Sequence, residues 1–307
     1  MRWSLFGLVF LLGCHVASPE GELLCRRFGE AQVAGYISNP QIAESSGLAV
    51  SSFEEGGLWT HNDSGGDAAL YAMSKEGEDL GVVELLGATA TDWEALGAGP
   101  CAEGRCLWVG DIGDNGTQRE SVTIWRLPEP EPPGKGGVLR VEGEARTASY
   151  PGGARDAEAL AVDPRTGDLL VVEKVLSAEP RSFRLDHEVW EGPSEVDTRF
   201  VELEQMDLLT DSLTGGMVTG ADFSPGGRKI FLRTYIGGFL LAVDRDRGGR
   251  VKGFSAPQAM PVFSQGQCES VSYSSDGAQL WFTCEGVNGV IAKSDCEELV
   301  LVFEPTS

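Results

Sequence analysis

The 307-residue chain has only three histidines, and no Cys-x-x-Cys pair anywhere in it. That excludes the usual closed zinc sites, which take sets of cysteine and histidine at short spacings. No G-x-S-x-G, H-E-x-x-H or G-x-x-x-x-G-K-[ST] occurs, so nucleophile-elbow hydrolases, zincins and P-loop enzymes drop out. Positive charge is scarce as well, with 24 Lys and Arg against 47 Asp and Glu and a net charge of -23. A field of that sign repels phosphate, which disfavours nucleic acid and anionic lipid surfaces as partners. Helical periodicity is nearly missing, because no stretch of about a dozen residues sustains apolar positions at i, i+3, i+4 and i+7.

Long apolar runs are missing too, except at the start. Arg2 is followed by Ser4-Leu-Phe-Gly-Leu-Val-Phe-Leu-Leu12, too short for a membrane span but of export-signal proportions. The end of the run, Leu11-Leu12-Gly13-Cys14, resembles a bacterial lipobox and implies a 1–13 signal peptide with lipidation at Cys14. Loss of residues 1–13 removes one arginine and takes the charge from -23 to -24. The expected organisation is a tether over 14–30 and one domain over 31–307. The chain is expected in the bacterial cell envelope, held to the membrane through Cys14, or else released to the periplasm or outside. A monomer is expected.

Seven cysteines fit an oxidising compartment. With Cys14 assigned to lipid, six remain. Cys101 and Cys106 can close a turn, and Cys268 and Cys284 lie symmetrically about Ser274-Ser-Asp-Gly277, opposite each other in a hairpin. Cys25 and Cys296 are left to tie the chain ends together.

Five segments repeat one layout: a short apolar strand, a polar Gly-bearing turn and a second apolar strand. They begin at Ser45, Asp92, Asp156, Val218 and Cys268. Aligning Ser46, Glu94, Glu158, Gly220 and Glu269 gives spacings of 48, 64, 62 and 49 residues. Further strand-like pieces lie between the hairpins. Strands at such a period predict an all-β fold, a single β-propeller of four-stranded blades. Five blades are preferred, and the two long spacings leave room for a sixth. "AQVAGYI" from Ala31 is expected to close the ring near the termini, with "ELVLVFEP" at the end of the last blade.

The motifs "HNDSGG", "DWEAL", "GDIGDN", "DAEALAVD" and "VTGADFSP", between Ser45 and Gly286, resemble a group of bacterial exported propellers that often carry lipoboxes. More distantly the chain looks like the propeller families of calcium-dependent phytases and gluconolactonase-type lactonases. The resemblance implies a propeller and no single reaction.

Equivalent positions in different blades converge on the mouth of the central channel. Glu94, Glu158 and Glu269 are therefore expected in a ring of carboxylates, with Asp92 and Asp156 beside it. The ends of the second strands add His61, Asn62, Asp63, Asp111, Asp114, Asn115, Glu173, Lys174, Arg233, Tyr235 and Glu285. Converging carboxylates need compensation. A hard cation such as Ca2+ on Glu94, Glu158 and Glu269 would supply it, since calcium takes six to eight oxygen ligands. Neutralisation by Arg155, Lys174 and Arg233 would also supply it. His61 reads as a hydrogen-bonded structural residue, and Trp59, Trp108 and Trp281 read as inter-blade core. Two functions follow: an acidic-rim propeller that binds a ligand or an envelope protein, or a calcium-dependent hydrolase of phosphoesters or lactones.

Overall fold

A computed structural model describes residues 22–53, 57–193, 198–208, 216–263 and 266–303. The segment expected to be a signal peptide and Cys14 lie outside the described residues. The fold is an all-β propeller of five blades.

The alternation of apolar strand and Gly-bearing turn becomes a meander in each blade. Blade one is Ser45–Val50, Gly57–Asn62, Ala69–Ser74 and Asp79–Leu86. Blade two is Trp93–Cys101, Gly104–Asp111, Val122–Pro128 and Glu144–Ser149. Blade three is Ala157–Val162, Leu169–Glu173, Ser182–Leu185 and Val201–Glu202. Blade four is Val218–Phe223, Lys229–Thr234 and Gly238–Arg245, with Val251–Phe254 and Gln258–Met260 both paired to that third strand. Blade five is Ser272–Tyr273, Gln279–Thr283 and Val290–Asp295, completed by Gln32–Tyr36 from the start of the chain. The "AQVAGYI" segment thus closes the ring as its sequence predicts.

The two long spacings do not hide a sixth blade. Before reaching blade three the chain lays Val138–Glu142 in parallel along Asp79–Leu86 of blade one. Before blade four it lays Thr198–Arg199 in parallel along Glu144–Ser149 of blade two. Each extra length covers the outer edge of an earlier blade, which removes an unpaired strand edge from solvent. The Pro- and Gly-rich run near Gly134 docks on that edge through the Gly134 N–H to the Leu80 carbonyl, 2.8 Å.

Two expectations at the termini need correction. "ELVLVFEP" is no blade strand: Leu299–Val302 pairs with Glu22–Cys25 in a separate two-stranded ribbon. Residues 22–30 are accordingly part of the folded body, with Phe28 buried against Phe231 and Tyr273. The disulfides are Cys25–Cys296, Cys101–Cys106 and Cys268–Cys284.

The core lies between blades. Trp59 packs with Trp93 and Leu107, Trp108 with Leu160 and Phe183, and Trp281 with Leu48 and Met73. All three are second-strand tryptophans and all are buried. Removing such a side chain from water stabilises the fold by roughly 1.5–3 kcal/mol. The first strands of all five blades contact one another around the channel. They sit so close that a Cβ on Gly97 would overlap Leu160 and Val162 of the next blade.

Candidate functional site

Four of the five blades build their part of the rim with a local irregularity. In blades two and three the ladder passes from Trp93 to Ala95 and from Ala157 to Ala159, skipping Glu94 and Glu158. A bulge leaves one residue unpaired and re-aims its side chain, and here that residue is the glutamate. Blade four has the same shift between Val218 and Gly220, and blade one between Ser45 and Leu48. The blade-four equivalent of the glutamates is therefore Thr219, not Gly220. Thr219 donates to the Glu269 carbonyl at 2.9 Å, and Ser46 donates to the Glu94 carbonyl at 2.9 Å. Neighbouring bulges are thereby tied together around the channel.

The second strands end opposite these bulges. One residue beyond the last pairing position come Asp63, Lys174, Tyr235 and Glu285, while blade two has buried Ile112 there. These side chains and the bulge glutamates make the rim.

Its charges divide into three sets. Lys174 is ion-paired with Glu158 and lies 3.7 Å from Asp156, so Glu158 is neutralised within its own blade. Arg155 lies 3.6 Å from Glu173, whose other oxygen accepts the Arg181 backbone N–H. Asp111 takes Arg119 at 2.8 Å and the backbone N–H groups of Thr91 and Asp92. Asp114 accepts from the Gln118 and Arg119 N–H groups, and its own N–H donates to Asp156 at 2.9 Å. Asn62 binds the Ala43, Glu44 and Gln41 backbone. These polar residues shape the loops.

The second set is compensated only from a distance, by the charges of Arg119 on Asp92 and of Lys174 on Glu94. Asp63, Asp92 and Glu94 each offer an oxygen, and the three lie within 4.8 Å of one another. No ion pair to any of them is found among the described residues. Glu94 is buried, at 3% exposure, and no hydrogen bond to its carboxyl is found among the described residues. Burial first, then the charges of Asp63 and Asp92, raise its pKa to about 9. Burial and Asp63 also raise Asp92. A Cβ at Gly113 would strike the carboxyl oxygens of both Glu94 and Asp92, so the glycine of "GDIGDN" leaves the space these groups occupy. Three hard oxygens beside a Cβ-free backbone fit a divalent cation such as calcium.

Glu269 belongs elsewhere. Its Oε1 accepts from Gln267 Nε2 at 3.0 Å, the same nitrogen that donates to Glu285 at 3.0 Å. The amide of Gln267 thus bridges Glu269 and Glu285, and Tyr235 lies beside them. Burial and the Glu269 charge push both of their pKa values up. Of the three glutamates expected to share a cation, Glu158 is ion-paired with Lys174 and Glu269 shares the Gln267 amide with Glu285, whereas Glu94 has no such partner among the described residues.

Two expected rim residues lie in the core. His61 is fully buried with its ring edge-on to Trp93 and Nδ1 2.8 Å from the Asn62 carbonyl. Burial lowers its pKa, which keeps it neutral. Arg233 is also fully buried, donating to the Cys268 and Phe263 carbonyls and stacked over Phe282. It pairs with no rim carboxylate among the described residues. Sequence reasoning missed Arg119, Gln267 and Gly113. Arg119 had a signal, as the first cation after the acidic "GDIGDN" loop; Gln267 had none.

No family model matches the chain, and no curated protein matches it. Among solved structures it is similar to Myxococcus xanthus glutaminyl cyclase, with 12% identity over 90% of this chain and 98% of that one, TM-score 0.47. It is similar also to a 6-phosphogluconolactonase homologue from Bacteroides uniformis, 16% identical over 90% and 83%, TM-score 0.41. The Neurospora crassa Pan2 WD40 domain is 10% identical over 92% and 100%, TM-score 0.43.

Proposed function

We propose that the protein is an exported propeller of the cell envelope that binds a ligand or protein at its acidic rim, with a divalent cation such as Ca2+ on Asp63, Asp92 and Glu94. One observation carries the reading: Glu94 is buried beside two further carboxylates, and none of the three has an ion-pair partner among the described residues. Burying such a group ionised is costly, so in the protein alone it holds its proton. A cation supplies the missing charge and displaces that proton. The three disulfides are consistent with an oxidising compartment. The lipid anchor at Cys14 rests on the lipobox, and the hydrolase alternative rests on resemblance.

Calorimetric titration of Ca2+ into the protein tests this reading. Saturable binding that Asp63→Asn and Glu94→Gln each weaken by at least tenfold, and that Glu158→Gln leaves in place, is the expected result. Binding indifferent to Glu94→Gln would overturn the site.

A further inference from the structure

The channel has a second end, chemically unlike the rim. Between the two, around Gly47, Leu96 and Gly220, the space narrows to about 10 Å³, roughly the room one water needs. Beyond this plug the first strands diverge and enclose a cavity of about 420 Å³ at their C-terminal ends. Its volume falls in the range of small-molecule sites, about 300–1,000 Å³. Its walls include Leu48, Leu96, Val162, Phe223 and Tyr273, all buried core residues contributed by five different blades. It opens between Ser52, Pro225 and Ser275, which are exposed.

Two charged groups stand in this apolar wall. Arg105 is held in place, with Nη1 2.5 Å from Glu129 and Nη2 2.8 Å from the Val50 carbonyl. Glu129 is further bound by Ser51, Ser52 and Trp59, so the guanidinium charge is already balanced. Asp222 makes no contact ion pair among the described residues, and the Arg105 charge acts on it only at longer range. Its Oδ2 accepts from Ser272 Oγ at 3.0 Å and from the Tyr273 N–H at 2.8 Å. These donors fix the carboxylate without neutralising it, while burial raises its pKa to about 6. An apolar cavity with one positioned carboxylate outside any contact ion pair matches an apolar body carrying a positive group. The net charge of -23 favours a cationic visitor as well.

We infer that this cavity is a binding site for a small organic cation, an amine on an apolar body, whose nitrogen pairs with Asp222 while its body fills the channel end. The site is separate from the acidic rim and does not depend on a metal there.

Saturation-transfer NMR with 2-phenylethylamine, with 2-phenylethanol and phenylacetate as controls, tests the assignment. The amine should bind with a dissociation constant of about 1 mM or below, and the alcohol and the carboxylate should bind far more weakly. Asp222→Asn should weaken the amine by about tenfold, and Ser275→Trp, which narrows the mouth and spares the carboxylate, should abolish binding. Glu94→Gln at the rim should change nothing. Failure of the amine to bind, equal binding of the alcohol, or binding that survives Ser275→Trp would overturn the proposal. Ser275→Trp decides the matter if Asp222→Asn does not fold.

Discussion

Lys174 is ion-paired with Glu158, the residue that the blade-three bulge turns out of its ladder. Both side chains are largely buried, and the pair removes one glutamate from the acidic rim. Removing one member of a buried pair strands the other charge, at a cost of about 3–5 kcal/mol. Lys174→Met should therefore lower stability by roughly 3 kcal/mol in chelator. Adding Glu158→Gln to it should restore a good part of that loss. Urea unfolding of the two variants checks this, and no recovery in the double variant would mean that the lysine stabilises by packing alone.

Gly113 touches the opposite set. Its Cβ-free backbone lies against Asp92 and Glu94, so Gly113→Ala must push both carboxylates aside. Overpacking of this kind costs about 1–3 kcal/mol. The expected signature is a modest fall in melting temperature with loss of calcium binding of at least tenfold. Calorimetry on Gly113→Ala beside wild type would show it, and an undiminished calcium affinity would argue against the cluster.

The raised pKa of Glu94 sets the pH dependence. Its folded value of about 9 lies above the ordinary carboxylate value of 4.5. Between the two the folded state holds a proton that the unfolded chain has released, so metal-free stability falls as pH rises through that window. The contribution is fully present below the unfolded pKa and is gone above about 9. In chelator the wild-type melting temperature should drop between pH 5 and 9 more steeply than that of Glu94→Gln. Calcium affinity should rise over the same range, with proton release seen as a dependence of binding heat on the buffer.

Cys25 and Cys296 are 271 residues apart and join the ribbon of the two termini to blade five. Closing so long a loop stabilises by roughly 5 kcal/mol in the chain-entropy account. Cys25→Ser with Cys296→Ser should lower the urea midpoint sharply while the circular dichroism stays that of a β protein. A midpoint unchanged by the double substitution would show that Gln32–Tyr36 closes the ring unaided.

Much of the fold was legible in the linear chain, because a propeller repeats one local unit. The five hairpins, the closing strand at Gln32 and the disulfide partners follow from apolar alternation, Gly-bearing turns and cysteine positions. The blade count was ambiguous only because Val138–Glu142 and Thr198–Arg199 pair backwards onto earlier blades, which spacing alone does not reveal.

The height of each side chain along the channel was likewise a sequence property, since register within a hairpin decides which residue ends it. Its neighbours around the channel were not. Lys174 meeting Glu158 is a contact within one blade, whereas Asp63 meeting Asp92 and Glu94 joins two. Such contacts depend on a single-residue bulge and on the rotation between adjacent blades, and neither leaves a pattern in composition or period. The cavity at Asp222 arises the same way, from five strand ends that only the closed ring brings together.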